Sequence, residues 1–256
     1  MERYQVTDKD RSRLKPQPGQ LMVSGDGAFA TLQGEGVTAG QRAIFLRLHG
    51  CNLTCLWCDT RYTWDRTRPE FWQEPQSWSL LETSRVVEDL WTDKFGTDDL
   101  SNEKRLVVTG GEPLLQQLKV IDLIESLPGW QVEIETNGTI RPDPKLSRCQ
   151  FNCSPKLENS GNPVSKRYKP EVLKAINNTP DCWFKFVATS AVDLEEIDMM
   201  VKTCDLDPHK ILVMPEGRTL ETTAAHLLAV QEGVERRGWQ TTKRNQIEWF
   251  GNNRRT

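Results

Sequence analysis

The chain has 256 residues, 37% of them hydrophobic and 27% charged, with a formal net charge of −3. That length supports a substantial core and reads as one domain of α/β type. The near balance of charge gives no global nucleic-acid footprint, and no apolar run is long enough to cross a membrane, so neither is expected as a direct partner. Seven cysteines, an odd number, and no visible secretory signal argue against a disulfide framework and for a reducing cytoplasm.

Residues 1–22 are polar and contain the run KPQPGQ, which predicts a frayed, flexible extension ahead of a single domain over 23–256. Gln33-Gly34-Glu35-Gly36 follows. Glycines flanking a carboxylate make a tight loop with exposed N–H groups and one fixed charge, or a plain hairpin turn. Ala43-Ile44-Phe45-Leu46-Arg47-Leu48 is nearly continuously apolar and reads as a buried strand. It runs directly into a cysteine loop, Cys51-Asn-Leu-Thr-Cys55-Leu-Trp57-Cys58. Residues 64–78, with two prolines and three tryptophans, read as an irregular insertion, and Ser84 to Phe95 as a helix on the spacing of Val86, Val87, Leu90 and Trp91.

Leu106–Thr109 is a predicted strand ending in Gly110-Gly111-Glu112, and Pro113 sits where a helix running to about Leu127 would begin. Val132–Glu135, Gln150–Cys153, Trp183–Ala188 and Ile211–Met214 read as further strands. Glu171–Asn177, Asp193–Lys202 and Leu220–Arg237 read as helices, the last stopped by Gly238. Strands alternating with helices imply a parallel sheet with right-handed crossovers. In such folds the functional loops gather at the carboxyl ends of the strands. The cysteine loop, the Gly110-Gly111 turn, Glu135–Gly138, Ser154-Pro155-Lys156 and Pro215-Glu216-Gly217 all follow predicted strands and should converge on one mouth.

The three cysteines carry the sharpest chemical signal. A cubane iron–sulfur cluster takes four thiolates, so a tight loop with three leaves one iron open to an outside molecule. Three buried small hydrophobes would not sit in eight residues among polar and bulky neighbours. A zinc site needs a fourth ligand; no second C-x-x-C or H-x-x-x-H pair is present, although His49 lies two residues before Cys51. Cys149 and Cys153 share the first spacing but meet Lys156 where a third cysteine would stand.

Other residues admit two readings each. Arg47, if it faces the mouth of the sheet, offers a planar fork to a carboxylate; otherwise it is a surface side chain on an edge strand. The Thr60 hydroxyl suits Mg²⁺, or Asp59-Thr60 is a cap or turn. Ser154-Pro155-Lys156 supplies a hydroxyl and a cation, or a turn with a solvated lysine. Gly110-Gly111 lets backbone approach a ligand with Glu112 beside it, or is an ordinary turn before a helix.

The spacing Cys51, Cys55, Cys58 resembles the signature of the radical S-adenosylmethionine (SAM) enzymes, and TGGEP at 109–113 resembles their GGEP motif. The resemblance sharpens when the motifs are taken in order: TLQGEG (31–36), AIFLRL-x-GCNL-x-C-x-WCDT (43–60), VVTGGEP (107–113), IETNGT (134–139), SPK (154–156) and MPEG (214–217). Together they resemble the 7-carboxy-7-deazaguanine synthases, the QueE family of 7-deazapurine (queuosine-type) biosynthesis, from about Phe29 to Gly217.

That resemblance implies a partial (β/α) barrel, often dimeric, and a lyase reaction. The ring of 6-carboxy-5,6,7,8-tetrahydropterin contracts to give 7-carboxy-7-deazaguanine with release of ammonia. It implies a [4Fe-4S] cluster held by Cys51, Cys55 and Cys58, SAM used catalytically, Mg²⁺ on Thr60, and an electron donor such as flavodoxin or ferredoxin. Leu32, Gln33, Gly34, Glu35, Arg47 and Thr109 would contact the pterin. Trp57, Cys58, Asp59, Gly111 and Glu112 would line the SAM site with Ser154, Pro155 and Lys156, and with Met214, Pro215, Glu216 and Gly217. The family tail, commonly R-L-H-x-x-x-F-G-N, here runs from Arg244 to Asn252 with Gln246 in place of the histidine; glutamine hydrogen-bonds but carries no proton charge near neutral pH. A glycyl-radical-enzyme activating protein and a non-enzymatic metal-binding adaptor are the two rival readings; the first gives no reason for QGEG or Arg47, and the second predicts a colourless protein or a cluster indifferent to SAM.

Overall fold

The structure is a computed structural model that describes residues 4–15, 17–97 and 104–251. Residues 1–3 and 16 of the expected extension and Asn252 of the tail motif lie outside the described residues. The chain divides into two compact units. The first comprises Met1–Ala30, Arg42–Thr54 and Cys58–Glu135; the second comprises Thr31–Gln41, Cys55–Trp57 and Thr136–Thr256.

The first unit carries α1 (Asp8–Arg13), β1 (Gln20–Leu32, whose last two residues belong to the second unit), β2 (Arg42–Leu48), α2 (Pro69–Gln73), β3 (Gln76–Ser79), α3 (Leu80–Phe95), β4 (Arg105–Gly110), α4 (Gln117–Glu125) and β5 (Gln131–Thr136). Its strands lie in the order β3-β1-β2-β4-β5. The β2–β4 and β4–β5 pairs are parallel, and β1 and β3 are antiparallel. Ile44, Leu46 and Leu48 of β2 and Leu106, Val107 and Val108 of β4 are fully buried, which is why their apolar runs are continuous.

Several predicted boundaries move for local reasons. The segment expected to fray contains α1, opened by a capping box between Thr7 and Asp10, and the start of β1. The segment expected to be irregular contains α2 and β3. Helix α3 begins four residues earlier than predicted because the Ser79 hydroxyl caps it, accepting from Glu82 N–H at 3.1 Å. Pro113 opens a 3₁₀ turn, Pro113–Gln116, before α4.

The second unit carries β6 (Gln150–Cys153), α5 (Val164–Arg167), α6 (Pro170–Asn177), β7 (Cys182–Ala188), α7 (Ala191–Cys204), β8 (Ile211–Pro215), α8 (Leu220–Arg236), β9 (Gln240–Thr241) and α9 (Asn245–Phe250). Strands β6-β7-β8-β9 lie in that order and all pair in parallel. Phe184, Phe186 and Val213 on the strands, Ile197 of α7 and Val230 of α8 are all fully buried in the core. No described helix is long and apolar enough to cross a membrane.

Candidate active site

In the first unit, the parallel register pairs Arg47 with Thr109 and Leu48 with Gly110. Register partners in adjacent parallel strands point to the same side, so the two residues expected to touch the pterin stand next to each other. Both are half-buried. Strand β2 has β1 and β4 as neighbours, so Arg47 is not on an edge strand. Its guanidinium lies over the Phe29 ring at 5.5 Å, and that ring stacks on Phe45 at 5.4 Å.

The turn after β4 locks onto the start of the cysteine loop. Gly111 N–H donates to Leu48 O at 3.0 Å, Glu112 N–H to Gly50 O at 2.8 Å, and Gly50 N–H to Thr63 O at 3.0 Å. A Cβ on Gly110 would lie 2.1 Å from Leu48 O. One on Gly111 would lie 2.0 Å from Gly50 O and 3.0 Å from Cys51 Cβ. The two glycines are therefore required by backbone packing against the loop, whatever else they bind. Glu112 is 1% exposed, and its carboxylate accepts from Leu114 N–H at 3.0 Å, capping its own 3₁₀ turn.

Cys58 and Thr60 also belong to this unit. The Cys58 sulfur accepts from Trp64 Nε1 at 3.2 Å and lies 3.5 Å from the Thr60 hydroxyl. Asp59 between them is exposed. His49, the sequence candidate for a fourth zinc ligand, is buried; its Nδ1 meets Ser24 Oγ at 3.2 Å and its ring packs on Phe71 at 4.7 Å. Burial pushes its pKa down to about 4, so it is a neutral core residue. The sequence reading passed over Gln116, whose amide accepts from Met22 N–H at 2.8 Å and donates to Met22 O at 2.9 Å and His49 O at 3.2 Å.

In the second unit, Cys55–Trp57 is held by the loop after β6. Leu56 N–H donates to Ser160 O at 3.0 Å. The buried Cys55 sulfur accepts from Asn162 Nδ2 at 3.3 Å. Trp57 donates from Nε1 to Asn159 Oδ1 at 3.2 Å, and the Lys156 ammonium lies over its ring at 5.4 Å while donating to Ser154 Oγ at 2.6 Å. Ser154 and Pro155 are buried, as are Met214 and Pro215 at the end of β8. Glu216 N–H donates to Ala188 O at 2.9 Å, which sets the loops after β7 and β8 side by side. Gly217 O accepts from Arg244 Nη1 at 2.9 Å.

Leu32 ends β1, and Gln33, Gly34 and Glu35 form the turn after it. Glu35 does not point freely to a ligand. Lys185 Nζ donates to Oε2 at 2.6 Å; Gln246 Nε2 and Arg244 Nε donate to Oε1 at 2.7 and 3.2 Å. Burial raises the carboxyl's pKa, but the Lys185 and Arg244 charges outweigh it and hold the group down at about 2. A Cβ on Gly34 would lie 2.1 Å from Gln246 Oε1, and Asn245 N–H donates to Gly34 O at 2.9 Å. Sequence reasoning missed Lys185 and the ion-pairing of Arg244. A lysine in the middle of the buried run Trp183-Phe-Lys-Phe-Val-Ala188 was the available signal, because a charge there needs a partner.

The donor set fits an iron–sulfur cluster. Three cysteines in eight residues, two of whose sulfurs receive side-chain N–H groups, are what thiolate ligands require. Among the described residues no three His, Cys, Asp or Glu side chains are gathered around a position for a single metal ion.

Likeness to known proteins agrees with this chemistry. The family model of a 4Fe-4S single cluster domain matches residues 32–136. The 7-carboxy-7-deazaguanine synthase of Pyrobaculum aerophilum is 34% identical, over 88% of this chain and 94% of that protein. That of Rhodopirellula baltica is 34% identical over 89% and 86%, and that of Escherichia coli K12 is 31% identical over 73% and 81%.

The chain belongs to the 7-carboxy-7-deazaguanine synthase family.

Membership in this family sets aside the glycyl-radical activating and metal-binding adaptor readings. The crystal structure of QueE from Escherichia coli superposes with a TM-score of 0.65 at 24% identity, covering 93% of this chain and 99% of that one, and shares its fold. The architecture is thus the α/β fold expected of the family, the partial (β/α) barrel of the radical SAM type with largely parallel strands.

Proposed function

We infer that this chain is a radical SAM 7-carboxy-7-deazaguanine synthase, a lyase that converts 6-carboxy-5,6,7,8-tetrahydropterin to 7-carboxy-7-deazaguanine with release of ammonia. The observation that carries this reading is the three-cysteine loop in a chain 34% identical, over 88% of its length, to a synthase of that name. Cys51, Cys55 and Cys58 would hold a [4Fe-4S] cluster, which together with SAM would supply the radical chemistry of the reaction.

The chain's own side chains bind and orient. Arg47 pairs bidentately with the pterin carboxylate, its swing limited by the Phe29 ring beneath it, and Thr109 hydrogen-bonds beside it. Leu32, Gln33 and Gly34 contact the pterin through the turn, while Glu35 fixes that turn's shape by its ion pairs. Lys156 and Ser154, with Pro155, hold the SAM carboxylate against Trp57. Asp59 and Gly111 reach SAM beside Cys58, with Glu112 supporting the turn. Met214, Pro215, Glu216 and Gly217 line the SAM site. Thr60 would supply one oxygen to a Mg²⁺ ion, which would neutralise negative charge on the substrate. Residues 23–256 act as one domain, as a homodimer in the cytoplasm, taking electrons from a flavodoxin or ferredoxin and touching neither nucleic acid nor membrane directly.

The test is anaerobic reconstitution with iron and sulfide, then incubation with SAM, dithionite, Mg²⁺ and the carboxypterin, with products read by mass spectrometry. 7-Carboxy-7-deazaguanine is expected, less of it with a chelator that leaves the cluster intact, and none from Cys51→Ala, Cys55→Ala or Cys58→Ala. A reconstituted, SAM-binding protein that leaves the pterin unchanged would overturn the reading.

A further inference from the structure

Two side-chain N–H groups end on sulfurs of the cysteine loop, one in each unit. In the first, Trp64 Nε1 donates to Cys58 Sγ at 3.2 Å. The ring is delivered by the 3₁₀ turn Arg61–Thr63, since Trp64 N–H closes on Arg61 O at 3.0 Å. In the second, Asn162 Nδ2 donates to Cys55 Sγ at 3.3 Å. Asn162 is 4% exposed, and its backbone carbonyl accepts from Arg167 Nε at 3.1 Å. Arg167 in turn donates to Lys156 O at 3.0 Å and pairs with Glu196. That anchoring fixes where the amide can reach. A thiolate accepts and does not donate, so the NH₂ side of the amide faces it.

An N–H dipole aimed at a cluster sulfur draws negative charge toward itself. The reduced cluster carries one more electron than the oxidised one, so the dipole stabilises the reduced form more. Hydrogen bonds to the sulfurs are among the means by which a protein sets a cluster's reduction potential. We propose that Trp64 and Asn162 are positioning residues that raise the reduction potential of the cluster through Cys58 and Cys55. The proposal rests on the reading that these cysteines hold a [4Fe-4S] cluster. It also assigns a task to Trp64, a tryptophan of the 64–78 segment.

The experiment uses the whole chain reconstituted with iron and sulfide. Iron and sulfide content is measured first, then the midpoint potential by redox titration with the reduced cluster's paramagnetic signal as readout. Trp64→Phe keeps the ring and removes the N–H; Asn162→Asp keeps the shape and replaces the donor with an acceptor. Both are expected to load iron like the parent and to titrate at a lower potential, with Asn162→Asp shifted further. Trp72→Phe is the control, because the Trp72 indole donates to a backbone carbonyl, Arg66 O, at 2.8 Å; it should titrate as the parent does. Full iron with an unmoved potential in Trp64→Phe overturns the proposal and leaves the cluster reading standing. Loss of iron from Trp64→Phe also counts against it, because a tuning donor is dispensable for assembly. If Asn162→Asp fails to fold, Trp64→Phe alone decides. A parent that takes up no iron overturns the cluster reading and this proposal with it.

Discussion

Two glycine-bearing turns each carry a glutamate, and the chain holds the two in opposite ways. Glu112, after β4, folds its carboxylate back onto a backbone N–H two residues away, and its neighbouring glycines pack on carbonyls of the adjacent loop. That cap and those steric contacts are local or one strand away. Glu35, after β1, is held by Lys185, Arg244 and Gln246, at sequence separations of 150, 209 and 211. The first turn is set by sterics and a cap, the second by charge. The same two-letter pattern of glycine and glutamate therefore predicts different sensitivities.

The largest expected effect falls on the charged turn. Glu35→Ala leaves the Lys185 ammonium, 5% exposed, without its carboxylate. Breaking a buried pair in this way costs about 3–5 kcal/mol, read as a fall in the denaturation midpoint. Replacing both, in Glu35→Leu with Lys185→Met, should recover much of that loss; no recovery would mean that charge pairing is not what holds the turn.

Next comes the steric turn. Gly111→Ala puts a methyl 2.0 Å from Gly50 O, a backbone atom that cannot rotate aside. Overpacking of this kind costs about 1–3 kcal/mol, and displacement of Cys51 should lower iron content in parallel. Gly34→Ala meets the Gln246 side chain, Oε1 at 2.1 Å and Cβ at 3.1 Å, rather than a backbone atom, so the loss should be smaller, a contrast measurable in one melting series.

A third effect separates the turns by pH. The Glu35 pKa stands at about 2 in the folded chain, against an ordinary value of 4.5. The unfolded chain takes up that proton first, so the pair's contribution is full above about pH 4.5 and is lost as pH falls toward 2. Acid titration of stability should show this loss in the parent and not in Glu35→Gln, which is the less stable above about pH 4.5 and meets the parent as pH falls toward 2. Smallest is Glu112→Ala, which removes one cap and should cost about 1 kcal/mol; Glu112→Gln, still an acceptor, should cost less.

The same contrast explains what the sequence made legible. Strands β2, β4, β7 and β8 were readable because each is a short, largely apolar run, and β5 and β6 because apolar and polar residues alternate along them. The β4–helix turn was readable because its determinants lie within a few residues. Strand β1 was not: its run QLMVSGDGAFATL holds two glycines, Gly25 and Gly27, both at positive φ, and reads as a break. Its partner β3, QSWS, is polar, and only pairing with β1 makes it a strand. Within the site, Thr109 was named only through the family resemblance and Arg47 admitted two readings, while the cysteines stood out by their spacing. Lys185 and the donors Asn162 and Trp64 did not, because nothing in their own neighbourhoods names the residue they would meet.

The wide separation of Glu35 from its partners also bears on how the molecule comes into being on a ribosome. At roughly 5–20 residues per second, the 150 positions between Glu35 and Lys185 take on the order of 8–30 s to synthesise, and Arg244 comes later still. Through that interval Glu35 is a hydrated carboxylate with no countercharge to follow it indoors. The turn that bears it closes only after translation has passed the strand that holds Lys185, making this corner of the enzyme a late step of assembly rather than an early one.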